Sequence, residues 1–278
     1  MLIGGFTRIF DRPSFEEVLD AAAGHGLEAL QLNLESLGLP PMPDRLDPDL
    51  CRRIRDQVEA RGLTLAAVSG TFNIIHPDVD ERARNFRSLR VVAAACPALG
   101  APLITFSTGT RNADYMWASH PDNGSPGAWS DMLEAMAEAV EIAAAHEVPL
   151  VFEPEVSNVV DSAPKARRLL DHFDSPFLKV VIDGANLFGA GDLPRMAEIL
   201  DEAFDLLGPD IEMAHAKDLV RDGEAGHVAA GTGLLDYERY LRRLREAGFD
   251  GALVLHSLDE DQVPRSLTFL RQTLDRIG

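Results

Sequence analysis

Eight short apolar runs punctuate the chain: LIGGF, ALQLN, LAAVSGTF, LITFSTG, VPLVFE, LKVVID, IEMAHA and GALVLH. Their hydrophobic positions are continuous rather than alternating with polar ones, as in strands buried on both faces. An amphipathic segment with start and stop signals follows each run. In the first, Ser14 and Glu17 of SFEE predict a capping box, and Gly24 and Gly26 end the helix. The second opens DPDL, with Asp47 as cap and Pro48 in the first turn, and stops at Gly62. Further helices are expected over 80–96, 129–146, 163–173, 193–207, 236–247 and 263–277. The run VVAAACPALGAPLITF is broken by Pro97, Gly100 and Pro102. It reads as a helix end followed by a strand, not as a membrane span.

Strict alternation of strand and helix implies a parallel sheet. Eight such units in 278 residues match a closed (β/α)8 TIM barrel, typically ~250 residues long. An open doubly wound sheet is the alternative. It would often carry a glycine-rich phosphate turn after its first strand, and GGFTRIF is not GxGxxG. Without a linker or low-complexity tract, the expectation is a single barrel domain over residues 1–278.

Charge narrows the partners. The 45 acidic residues outnumber the 26 basic ones, for a net charge of −19. Such a surface repels phosphate backbones and anionic lipid, so neither nucleic acid nor a membrane is expected as partner. Cys51 and Cys96 form no CxxC and fall in helical patterns, as reduced thiols of a cytoplasmic protein would. The start MLIGGFTRIF lacks the charged opening and long apolar centre of a signal peptide.

Candidate chemistry sits where the apolar runs stop. The last four finish at or near Glu153, Asp183, His215 and His256. A barrel collects the C-terminal ends of its strands on one rim, where active sites lie. Two carboxylates and two imidazoles around one point suit a hard or borderline divalent cation. Each residue alone also has a plainer reading, as a helix cap, an ion-pair partner or a hydrogen-bonded histidine. Their recurrence on four consecutive strands favours one shared site.

The segments LVFEPEVSNVVDS, KVVIDGANLF and AHAKD resemble those of the xylose isomerase-like TIM-barrel family of sugar isomerases and epimerases. The resemblance spans essentially the whole chain. It implies one divalent metal ion (Mn, Mg, Co, Fe or Zn), held by Glu, Asp, His and a second Glu from successive strands. Glu153, Asp183 and His215 match the first three places, and the fourth falls at or near His256, a departure from the family pattern. The family's epimerases also place a substrate-binding histidine three residues after the Asp, where this chain has Asn186. Arg221 stands at the spacing of their substrate-contacting arginine. In such enzymes the two glutamates exchange protons at a carbon beside a carbonyl. A histidine in the second place keeps a ligand and a base while removing one negative charge.

Other residues near these motifs are candidates for substrate contact. Lys217 lies two residues after His215, so a continuing strand points it to the same side; pairing with Asp218 is the alternative. Glu155 follows Glu153 by two, and Asn158 offers an amide or a loop cap. His76 follows the third strand and reaches either substrate or its own loop. The long loop TRNADYMWASHPDNGSPGAW carries Tyr115, Trp117 and His120 as candidate lid residues. The glycine-rich AAGTGLLDY reads as a turn before the helix at Asp236 or as an approach to a phosphate.

The expected function is a metal-dependent isomerase or epimerase of a small sugar, sugar phosphate or polyol-derived ketone. Catalysis would fall to Glu153 and His256, and a homo-oligomer is compatible with the sequence. A dehydratase on the same scaffold and a non-catalytic sugar-binding barrel are the alternatives. An endonuclease is disfavoured by the charge and by too few rim histidines.

Overall fold

A computed structural model describes residues 1–278. Strands β1 (Leu2–Phe6), β2 (Ala29–Leu32), β3 (Thr64–Ser69), β4 (Ile104–Phe106), β5 (Leu150–Phe152), β6 (Leu178–Asp183) and β7 (Ile211–Asp218) come in chain order. Then follow the two-residue β8 (Val228–Ala229) and β9 (Ala252–Leu255). Strands β1 to β7 and β9 pair in parallel and close on themselves through β6–β7, β7–β9 and β9–β1. This is the eight-stranded (β/α)8 barrel, not an open sheet. Helices α1 (Phe15–Gly24), α2 (Pro48–Glu59), α3 (Val79–Leu99), α4 (Pro126–His146), α5 (Ala163–Phe173), α6 (Met196–Leu207), α7 (Tyr237–Glu246) and α8 (Val263–Arg276) surround it.

The alternation of side chains along a strand divides the apolar residues into two clusters. Seventy buried residues fill the space between strands and helices. A second cluster of nine lies inside the barrel: Phe6, Ala29, Ala67, Leu103, Val151, Val181, Met213, Ala252 and Val254. The strands approach closely at Gly4, where a Cβ would lie 2.5 Å from the Ala29 carbonyl oxygen.

The sequence signals mostly mark the helix ends. Asp47 accepts from Asp49 N–H with Pro48 in the first turn, and Asp236 accepts from Arg239 N–H. At α1 half of the capping box forms. Ser14 Oγ accepts from Glu17 N–H, while the Glu17 carboxylate takes the Ser14 hydroxyl instead of a backbone donor. Helix α3 runs through Pro97 to Leu99 rather than stopping at 96. A proline that near the C-terminus removes one helix bond, and Gly100 then caps in the left-handed region at φ 71°. Strand β7 extends beyond its apolar run to Asp218, because Lys217 and Asp218 pair antiparallel with β8. No helix is long and apolar enough to cross a membrane.

Candidate metal centre at the barrel mouth

Glu153, Asp183, His215 and His256 each lie two residues beyond a member of the inner cluster: Val151, Val181, Met213 and Val254. Period-two alternation therefore carries the barrel interior directly into the site. Asp183 and His215 are register partners on adjacent strands, and Glu153 follows the last residue of β5. All three are buried. Their ligand atoms lie within 4.8 Å of one another. His215 Nδ1 is 3.7 Å from Glu153 Oε2 and 3.8 Å from Asp183 Oδ2.

Such a group is costly to bury without a compensating charge. Asp183 Oδ1 accepts from Ala185 N–H at 3.0 Å, whereas Asp183 Oδ2 and His215 Nδ1 have no hydrogen-bond partner. Donor atoms around one ion at ~2.0–2.3 Å stand roughly 3–4 Å apart, which fits this group. Two carboxylate oxygens and one imidazole nitrogen suit a divalent cation, so the residues fit the metal that the resemblance implies.

Surrounding groups fix the cluster. Gln31 Oε1 accepts from His215 Nε2 at 3.0 Å, and the Gln31 amide donates to Ser69 Oγ at 3.0 Å and Thr105 Oγ1 at 3.2 Å. With the proton on Nε2, the Nδ1 lone pair faces the carboxylates. A register shift between Leu30 and Gln31 in the β2–β3 pairing sits at this side chain. Asn186 donates to Glu153 Oε1 and accepts from Gly226 N–H at 2.8 Å. The Lys217 ammonium lies 3.3 Å from Asp183 Oδ2.

Electrostatics follow the geometry. Burial alone would raise the Glu153 pKa, but Lys217, His215 and the Asn186 amide hold it below the usual carboxylate range. Asp183 is raised by burial, with the Glu153 charge adding to it. Burial works against a charged Lys217, yet Asp183, Glu153 and Glu155 hold its pKa above the ordinary lysine value. Burial pushes Glu155 up to about 7.

The xylose isomerase-like TIM-barrel model matches residues 19–273. The chain belongs to that family. Comparison with curated proteins finds no match. Among solved structures, a xylose isomerase domain protein from Planctomyces limnophilus superposes with TM-score 0.74 at 18% identity, covering 93% of this chain and 92% of that one. An L-ribulose 3-epimerase gives TM-score 0.75 at 16% identity, covering 99% and 95%. A probable 3-DHS dehydratase from Bacillus anthracis gives TM-score 0.71 at 16% identity, covering 98% of this chain and 99% of that one.

For this xylose isomerase-like barrel, the cluster holds three of the four expected ligands. His256 stands beside it, its ring stacked on His215 at 5.4 Å between centroids and 17° between planes. Its nitrogens turn elsewhere: Nε2 accepts from Arg8 Nη2 at 3.3 Å, and Nδ1 donates to Ser257 Oγ at 2.7 Å. Burial pushes its pKa well below the ordinary value, with Lys217, His215 and Arg8 adding to the effect.

The mouth consists of two adjoining cavities of about 240 Å³ each, which share Arg8, Trp117, Glu153 and His256. Lys217, Asn186 and Glu155 line one of them. A larger cleft of about 690 Å³ between the α1 and α2 regions contains none of the cluster residues. Two of the remaining candidates, His76 and Arg221, lie outside the mouth. His76 donates to the Ala113 carbonyl at 2.9 Å through Nε2 and accepts from Asp78 N–H at 3.1 Å, so both ring nitrogens serve the loops. Arg221 is exposed and pairs with Glu224 at 2.6 Å. Glu155, in the cavity wall, accepts from Ser157 N–H at 2.9 Å and Asn158 Nδ2 at 2.7 Å, which braces the 155–160 turn.

Lys217 does not pair with Asp218, since neighbouring strand residues face opposite ways. Asp218 instead accepts backbone N–H groups from Leu219, Gly231, Gly233 and Leu235. That fixes the glycine-rich segment before α7. In the long loop after β4, Asn73 and Asn123 bind the backbone at Thr110 and Arg111, while Tyr115 and Trp117 stay exposed at the tip.

Proposed function

We propose that the chain is a metal-dependent isomerase or epimerase of a small sugar or polyol-derived ketone. The observation that carries this is the buried group Glu153, Asp183 and His215, in which His215 Nδ1 has no hydrogen-bond partner and Asp183 Oδ2 meets only the Lys217 ammonium, at 3.3 Å. These three residues would hold one divalent ion. When bound, that ion supplies Lewis acidity for a substrate carbonyl and for the enediolate left by proton removal.

Glu153 is the acid/base group. Its Oε1 is held by Asn186, which makes Asn186 a positioning residue, and the carboxylate borders both mouth cavities. Its lowered pKa keeps it ionised at neutral pH and ready to take a proton. Lys217 presents a buried cation to substrate oxygen from the β7 side. His256 closes the opposite wall and holds Arg8. The loop tip at Trp117 covers the mouth.

Similarity to a probable dehydratase supports a second reading, in which the same enediolate loses a β-hydroxyl as water. Proton NMR in deuterated water with Mn²⁺- or Co²⁺-loaded protein and a ketose panel separates the two. Solvent deuterium entering a C–H position at constant mass apart from the label marks isomerisation or epimerisation. Loss of water marks the lyase. Glu153→Gln is expected to stop exchange, and His215→Ala to lose both metal and exchange. A wild-type chain that binds no divalent metal would overturn the proposal.

A further inference from the structure

Arg8 lies two residues beyond the inner-cluster residue Phe6, and its guanidinium sits 4.9 Å from the Phe6 ring centre. One edge donates to His256 Nε2 at 3.3 Å. His256 is braced by Ser257 Oγ at 2.7 Å, and Ser257 adopts φ 53°, a conformation that non-glycine residues seldom take. A strained turn thus orients a histidine, and the histidine orients an arginine. Arg12 and Arg221 have carboxylate partners, Glu260 and Glu224. Arg8 has none within 4.0 Å, in a chain where acids outnumber bases 45 to 26. It borders both mouth cavities together with Glu153.

We propose that Arg8 recognises an oxyanion on the substrate, so that the natural substrate is an acidic sugar bearing a carboxylate or a phosphate ester. This rests on reading the mouth as a sugar-transforming site. A guanidinium offers paired N–H donors whose spacing matches two oxygens of such a group. His256 occupies one part of the donor set and leaves the rest to the cavity. Lys217 is already set among Asp183, Glu153 and Glu155. Arg8 shares its cavity with Glu35, whose charge acts on it without an ion pair within 4.0 Å, so its guanidinium is the mouth cation whose donors remain open to a substrate oxyanion. His256 is here a positioning residue for Arg8.

The test is titration calorimetry on Mn²⁺-loaded wild type, Arg8→Gln and Arg8→Lys. The probes are keto-aldonates, ketose phosphates and neutral ketoses of matched skeleton. Metal stoichiometry and near-ultraviolet circular dichroism control for folding. An acidic probe is expected to bind at least tenfold more tightly than its neutral counterpart. Arg8→Gln should weaken that probe on the order of 10–100-fold and weaken the neutral one by a smaller factor. Arg8→Lys should keep part of the affinity. The keto-aldonate and phosphate arms show which oxyanion is taken. Equal binding of neutral and acidic probes, no binding of any acidic probe, or full affinity in Arg8→Gln would overturn the proposal. Arg8-dependent binding without deuterium exchange would sink the isomerase reading and leave this one standing. Deuterium exchange on neutral ketoses, with acidic probes neither bound more tightly nor weakened by Arg8→Gln, would do the reverse.

Discussion

Gln31→Met probes how the candidate metal centre is held. Gln31 is 3% exposed, and its amide makes contacts of 3.0, 3.0 and 3.2 Å to His215, Ser69 and Thr105. Methionine fills a similar volume and removes the acceptor for the His215 Nε2–H. Two separable losses follow. In metal-free protein, a buried N–H loses its partner, costing about 1–3 kcal/mol. In the metal-binding equilibrium, the imidazole loses its fixed tautomer and orientation. Removing such an outer partner of a ligating histidine typically lowers metal affinity ~10–100-fold, or about 1.4–2.7 kcal/mol. Urea unfolding without metal reads the first term. The added stabilisation at fixed excess Mn²⁺ reads the second, because it scales with the logarithm of affinity. Direct calorimetric titration with Mn²⁺ checks the second value. A Gln31→Met protein with Mn²⁺ affinity within about twofold of wild type would refute the claim that Gln31 sets the ligand geometry.

Asp218→Ala strands four backbone N–H groups of the segment before α7, so a loss of about 3 kcal/mol or more is expected in urea unfolding. An unchanged midpoint would show that the segment repairs itself. Gly4→Ala forces a Cβ to within 2.5 Å of a strand carbonyl, and the strands must spread or the chain fail to fold; a thermal midpoint equal to wild type would contradict this. Cys96 is buried and its thiol pushed up to about 12, so thiol reagents at pH 8 should label it only after unfolding. Rapid labelling of the native protein would mean that the α2–α3 layer opens.

The fold was legible because each strand is a continuous apolar run and each helix carries its own terminal residues, such as Asp47, Pro48 and Asp236. Glu153, Asp183 and His215 were legible for a related reason: each ends or follows a strand with the parity of its inner-facing residues. Gln31 left a weak trace, as a lone amide in ALQLN two residues after Ala29. The tie from His256 to Arg8 left none, since it joins the two ends of the chain across 248 positions. Strand β8 is two residues long and too short to produce a periodic signal. The Lys217–Asp183 contact was not read from the sequence, where substrate contact and pairing with Asp218 both stood open for Lys217.

The shared parity of barrel filling and site has a consequence for how this chain can vary. Deleting one residue inside β5, β6 or β7 would rotate Glu153, Asp183 or His215 outward beneath the helices and turn an outward neighbour into the mouth. The same slip would expel Val151, Val181 or Met213 from the barrel interior. A frame error in any of these strands therefore destroys folding and chemistry together, and no folded but ligand-less intermediate is reached by that route. Loops are free of this coupling. Insertions at the tip around Tyr115 or in the segment after β8 can reshape what enters the mouth while Glu153, Asp183 and His215 stay where the strand register puts them.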